Sequence, residues 1–234
     1  MKRNYLICKP AIPALLVLML FLSGCSTTSV ISSSRGKASD PALQKIWQQH
    51  RSQLQGIADW TLTGKLGLRS PDKNGSARLS WQQRDQSYHI DFTDPLGRNS
   101  LQLVGNPDYA TIRVTNQKPV TTDEPEALLF DNIGWMIPIS ELPHWILGYP
   151  APDTPAVYNL NTEGRLATLS QSGWYLEFLG YQQVGLLWLP KKISIEQDDI
   201  KLKFVISQWT VNTSTISKRH PDHKNAASTV VQYR

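Results

Sequence analysis

The residues able to do chemistry in this chain are few and poorly placed for it. Histidines stand at 50, 89, 144, 220 and 223. His220 and His223 lack a second pair of ligands, so no metal site follows. Asp91 and Asp94 lie close enough to suggest a glycosidase pair, but aspartate beside Pro95 and Gly97 is ordinary turn chemistry. The chain has no Gly-x-Ser-x-Gly, no His-Glu-x-x-His and no phosphate loop. There are two cysteines, Cys8 and Cys25. The reading is therefore of a protein that is not an enzyme and takes no cofactor.

Cys25 has a distinctive setting. Lys2, Arg3 and Lys9 precede an apolar run from Ala11 to Leu22, then Ser23 and Gly24. A basic start, a short apolar segment and small residues at a cut site make a secretory signal. A spanning helix needs about 20 apolar residues, more than this run supplies. Leu22-Ser23-Gly24-Cys25 resembles the lipobox of bacterial lipoproteins. The resemblance implies cleavage before Cys25, acylation of that residue, and a signal peptide over 1–24. Ser26, where an Asp would retain a lipoprotein at the inner membrane, implies the outer membrane, facing the periplasm of a Gram-negative bacterium. With Cys8 removed and Cys25 modified, no disulfide is expected despite the oxidising compartment.

The net charge of +5 first suggests a nucleic-acid partner, and its distribution argues against one. Three positive charges leave with the signal. The tail from Asn212 to Arg234 holds +3, which leaves 25–211 at −1. That body has no broad phosphate-binding field.

The elements follow from periodicity. Residues 25–39 read as a flexible tether rich in Ser, Thr, Lys and Gly. Asp40-Pro41 signals a helix start, followed by Leu43, Ile46, Trp47, His50, Leu54 and Ile57 at helical spacing. From Trp60 the period becomes two, and short alternating strands run to Val114 with turns between them, as in an antiparallel meander. Asp123-Glu124-Pro125-Glu126 opens a second helix. Ser140-Glu141-Leu142-Pro143 opens a third, stopped by Gly148. Strands resume from Val157 to Val211, and residues 212–234 lose periodicity and read as a basic, disordered tail. Ten or eleven strands interrupted by helices predict a mainly β fold. It is an open, incomplete antiparallel β-barrel over a hydrophobic cavity, with the helices as a lid.

One turn is odd. Asp94-Pro95-Leu96-Gly97 places an apolar side chain at its tip, where a polar one is usual. Thr93 to Gly97 with Leu101-Gln102-Leu103, and Ile137-Pro138-Ile139 with Trp145-Ile146-Leu147-Gly148-Tyr149-Pro150, resemble the LolA/LolB-like lipoprotein localisation family, on its LolB side. The resemblance covers roughly 40–211 plus the lipobox; the basic tail departs from it. It implies an outer-membrane receptor, expected as a monomer. Such a receptor takes triacylated lipoproteins from a LolA-type periplasmic carrier and inserts them into outer-membrane phospholipid. Leu96, held by Pro95 and Gly97, would be the membrane-insertion loop. The expected cavity lining from the N-terminal strands is Trp60, Leu62, Leu66, Leu79, Trp81, Ile90, Leu101 and Leu103. Trp145, Ile146 and Phe204 complete it. The rival reading is an outer-membrane lipoprotein that scaffolds an envelope complex, with a filled barrel and no lipid transfer.

Overall fold

The computed structural model describes residues 40–72, 74–127, 130, 138–212 and the backbone of 230–233. Cys25, the signal and the tether lie outside the described residues. So does most of the expected second helix, of which residues 125–127 are seen as helical.

Helix α1 (Pro41–Gln55) begins where the sequence reading places it. Asp40 caps it by accepting the backbone N–H of Ala42, and Pro41 occupies the first turn. Its stripe buries Leu43, Trp47, His50 and Leu54. Ile46, expected on that stripe, is largely exposed instead. It stands beside Gly164, where a Cβ would come within 2.6 Å of the Ile46 side chain. The short helix α2 (Leu142–Leu147) ends at Gly148, whose φ of 94° is the left-handed stop a glycine supplies.

Among the described residues, twelve strands form one antiparallel sheet. They are β1 (Asp59–Arg69), β2 (Asn74–Arg84), β3 (Ser87–Thr93), β4 (Ser100–Gly105), β5 (Ala110–Val114), β6 (Val120–Thr122), β7 (Ala156–Leu160), β8 (Leu166–Gln171), β9 (Trp174–Val184), β10 (Leu187–Gln197), β11 (Ile200–Asn212) and β12 (Val230–Tyr233). The order is β6-β5-β4-β3-β2-β1-β11-β10-β9-β8-β7, with β12 paired to the end of β11. The two meanders therefore join between β1 and β11, whose register runs from Trp60↔Val211 to Arg69↔Lys201. The barrel is open at β6 and β7. The tail expected to carry no structure returns as a strand, pairing Trp209 with Tyr233 and Asn212 with Val230. Its four residues alternate too little for periodicity to mark them.

Two irregularities bend the sheet. Thr63 pairs Gln208 and Gly64 pairs Ile206, so Ser207 is an extra residue on β11. The bulge switches the buried parity of β11 from Leu202, Phe204 and Ile206 to Trp209 and Val211. Gly64 is required there, because a Cβ would stand 2.3 Å from the Val205 carbonyl oxygen. β9 and β10 slip register around Lys191 and Lys192, and nearby the Trp209 indole donates to the Pro190 carbonyl at 3.0 Å.

The core is unevenly filled. Over β7–β10, α1 and α2 supply the apolar cover. Trp47 meets Tyr158 of β7 at 5.6 Å and donates its indole N–H to that hydroxyl. Trp145 of α2 is fully buried and donates to Gln171 at 2.8 Å. The same amide accepts from the Ala151 N–H and donates to the Ala151 and Thr154 carbonyls and the Thr154 hydroxyl. Gln171 thus pins α2 and the segment behind it to β8. Over β1–β5 the apolar cover from α2 is Leu142, its first residue.

Candidate functional site

A hollow of about 550 Å³ lies on the concave face of β1–β5 and β11. Its floor is Trp81, which packs on Trp60 at 5.2 Å, and Trp60 in turn meets Trp209 at 5.3 Å. The Trp81 indole N–H is satisfied by Gln83 at 3.0 Å, so the floor presents carbon rather than an unpaired donor. The walls are Leu66 and Leu68 of β1, Ile90 and Phe92 of β3, Leu101 and Leu103 of β4, Val114 of β5, and Leu202 and Phe204 of β11. Ile139 and Leu142 close the side nearest α2. Leu66, Leu68, Phe92, Leu101 and Val114 remain only partly buried. Among the described residues, apolar surface faces apolar surface across this space. Its size and its apolar lining fall within the range of cavities that hold small ligands.

Six of the eleven residues expected as lining stand around the hollow: Leu66, Trp81, Ile90, Leu101, Leu103 and Phe204. The other five, Trp60, Leu62, Leu79, Trp145 and Ile146, are buried in packed core and do not line it. The sequence reading missed Leu68, Phe92, Val114, Ile139, Leu142 and Leu202. Alternation tells which face of a strand a residue occupies and says nothing about its height along that strand. The hollow sits toward the end reached by Arg69, Thr93 and Ile200. On β1, β3, β5 and β11 the lining members are those nearest that end, while on β2 Ala77 and Trp81 line it and Leu79 between them is buried.

The turn carrying Leu96 stands at the rim, since Asp94 and Asn99 at its base also line the hollow. The turn is stiff. The Gly97 N–H donates to the Asp94 carbonyl at 3.0 Å, and the Asp94 N–H to the Asn99 carbonyl at 2.9 Å. Pro95 follows Asp94 in the favoured position, and Gly97 has φ 74°. The Asp94 carboxylate accepts the backbone N–H of Arg98 at 2.9 Å and both the backbone and side-chain N–H of Asn99. Desolvation would raise the Asp94 pKa, but these hydrogen bonds outweigh it and hold the carboxyl below its ordinary value. Leu96 at the tip is 71% exposed. A side chain that could turn inward or be dropped from the loop is instead fixed outward beside an apolar opening.

The aspartates do not form a catalytic pair. Asp91 lies on the convex face, accepting from Gln102 at 2.9 Å and contacting His89 at 3.2 Å. Asp94 is on the hollow's rim, serving the turn. Among the described residues no group of three or more His, Cys, Asp or Glu side chains could hold a metal ion. No described helix is long and apolar enough to cross a membrane.

Residues 58–209 match the family model described as outer membrane lipoprotein LolB. An outer-membrane lipoprotein LolB of Pseudomonas syringae pv. syringae is 37% identical over 192 residues, covering 82% of this chain and 92% of the relative. The corresponding protein of Pseudomonas putida F1 is 36% identical, covering 81% and 97%. Among solved structures, a LolA superfamily protein from Nitrosomonas europaea aligns with a TM-score of 0.46 at 8% identity, covering 71% of this chain and 92% of that one.

Proposed function

The chain belongs to the LolB family of outer-membrane lipoproteins, and on that premise we propose that it receives triacylated lipoproteins from a LolA-type periplasmic carrier and inserts them into the inner leaflet of the outer membrane. The protein is itself a lipoprotein of that membrane in a Gram-negative bacterium. The acyl chains occupy the hollow over Trp81 during transfer, and Leu96 brings its mouth to the bilayer. The receptor works as a monomer. One observation carries the reading: an unfilled apolar hollow opens beside a leucine that a rigid turn holds out into solvent.

Energetics favour this arrangement. Each methylene kept from water is worth about 0.8 kcal/mol, so acyl chains cannot cross the periplasm uncovered. The hand-over runs downhill in affinity, each tenfold step being about 1.4 kcal/mol. A cavity of aliphatic and aromatic walls, with few polar groups, grips chains without fixing their conformation. It can release them to a bilayer that binds them more tightly. The scaffolding alternative would need no such hollow.

Site-specific photocrosslinking tests the assignment. A photoreactive side chain at Leu101 or Val114 is expected to capture the acyl chains of a lipoprotein delivered by the carrier, and one at Ile146, in the core, is not. Failure of every hollow position to capture lipid, with the variants folded, would refute it. A fluorescent fatty acid that neither binds nor is displaced would do the same.

A further inference from the structure

We propose that the convex face beside the Leu96 turn carries a docking surface for anionic phospholipid headgroups; this rests on the reading that Leu96 meets a bilayer. The observation is a pair of like charges that the fold places together. On the outward face of the sheet Lys65 of β1 is the direct cross-strand partner of Arg78 of β2. Like charges directly opposite are destabilising, and neither takes part in an ion pair among the described residues. Both are exposed. Lys203 stands on β11 opposite Gly67, one outward position from Lys65.

The pair flanks a shallow groove of about 350 Å³, where Thr63, Ser80, Thr93 and Ser207 add hydroxyls. Asp91 also reaches the groove. Its carboxylate accepts from Gln102 and lies 3.2 Å from His89, and its one negative charge stands against the two cations of the groove, which stays net positive. The groove forms at the Ser207 bulge, where the ladder opens. Its donors are an ammonium, a guanidinium and hydroxyls, the set that binds a phosphodiester.

Position selects the membrane as the source of that phosphate. Arg78 pairs with Thr93, the last residue of β3 before the turn. Its guanidinium lies 3.4 Å from where a Cβ on Gly97 would stand, directly under the Leu96 tip. Arg98 in the turn is exposed, and the Asp94 carboxylate beside it accepts from the Arg98 backbone N–H and from the Asn99 N–H groups. An apolar tip with cations behind it is the arrangement that lets a leucine enter the acyl boundary while the cations meet headgroup phosphates. The body of the chain is close to neutral, so this attraction is local and sets orientation.

The test uses the full mature chain carrying Cys25→Ala, so that no anchor masks weak binding. It is cosedimented with vesicles of phosphatidylcholine alone or with about one third phosphatidylglycerol. Binding is expected to rise with the anionic lipid and to fall as salt shortens the screening length from about 10 Å at 0.1 M to about 3 Å at 1 M. Lys65→Gln with Arg78→Gln is expected to lower binding to the anionic vesicles about 30-fold, roughly 1.4 kcal/mol per tenfold for two contacts of about 1 kcal/mol each. Arg84→Gln, at the other end of β2, leaves it unchanged. Equal binding to both vesicle types, or an unaffected double variant, overturns the proposal. Equal competition by inorganic phosphate and by lipid would assign the groove to a free anion and overturn it too. Lipoprotein insertion into neutral vesicles, measured in parallel, reports on the receptor reading separately.

Discussion

Replacing Leu96 separates holding lipid from delivering it. The side chain is 71% exposed, so immersing it gains most of the 1.5–3 kcal/mol available to a leucine, about 1–2 kcal/mol. If that gain is made as the mouth meets the bilayer, Leu96→Ala slows insertion roughly 5- to 30-fold at 1.4 kcal/mol per tenfold. Leu96→Glu adds the cost of moving a carboxylate toward lipid, about 1 kcal/mol near the interface, for a loss of about 30- to 140-fold. Neither change touches packing, so unfolding free energy stays within about 0.5 kcal/mol of wild type. The assay is a single turnover. Carrier loaded with labelled lipoprotein is mixed with the receptor, acceptance is read by transfer of label, and liposomes are then added to read release. Acceptance is expected to be normal and release impaired. If Leu96→Glu delivers lipoprotein at the wild-type rate, the turn has no part in insertion. If it unfolds the protein, the turn is structural.

Other predictions concern the scaffold. Gln171→Leu strands the Trp145 indole N–H and the Ala151 N–H and C=O in the core. At about 1–3 kcal/mol per orphaned group, unfolding in urea should show a loss of at least about 3 kcal/mol. His50 is buried on α1, and desolvation first, then the nearby Arg165 charge, lower its pKa to about 4. The unfolded chain binds this proton below about 6.5 and the folded chain only below about 4. Stability from His50 is therefore complete above pH 6.5 and falls as pH drops toward 4. His50→Phe should flatten unfolding midpoints across that window. Gly64→Ala drives a Cβ into the Val205 carbonyl at 2.3 Å. It should cost more than about 3 kcal/mol and expose β1 and β11 amides to hydrogen exchange.

Much of the architecture was legible because its signals are local. Asp40-Pro41 and Gly148 mark helix ends whatever surrounds them. Strict alternation on Trp60–Leu68 and Ile200–Ile206 fixes which face is buried. What escaped depends on partners far along the chain. The bulge at Ser207 exists because β1 carries Gly64, some 140 residues earlier, and it alone moves Trp209 to the buried side. Leu187–Pro190 belong to β10 although a proline interrupts the strand pattern, because Pro190 can lie beside a register slip. In the hollow, Phe92 and Val114 share the parity of Tyr88 and Ile112, which do not line it. They differ only in standing nearer the Leu96 turn, a distance no pattern within one strand reports. The Lys65–Arg78 pair escaped for the same reason: charge totals average over surfaces, and these residues meet only when β1 and β2 are set in register.

The two halves of the sheet are treated differently, and the difference is energetic. Were the hollow over Trp81 a sealed dry void, 550 Å³ at about 24 cal/mol per Å³ would cost about 13 kcal/mol, comparable to the whole stability of a domain. Its opening at the Leu96 rim removes most of that cost by admitting solvent, yet the leucines and Phe92 still face water they would gain by leaving. Gln171, Trp145 and Trp47 secure the covered half, so the open half can remain unfilled without unfolding the rest. A substitution that fills the space should therefore stabilise the protein and weaken its grip on acyl chains. Ala77, which lines the hollow opposite Leu66, is the position to use. Ala77→Leu is expected to raise unfolding free energy by about 0.5–2 kcal/mol, as cavity-filling changes do, and to reduce fatty-acid uptake several-fold. A variant that gains stability with undiminished uptake would show that acyl chains bind elsewhere. One that loses stability would show that the hollow is already filled in solution by the protein's own side chains.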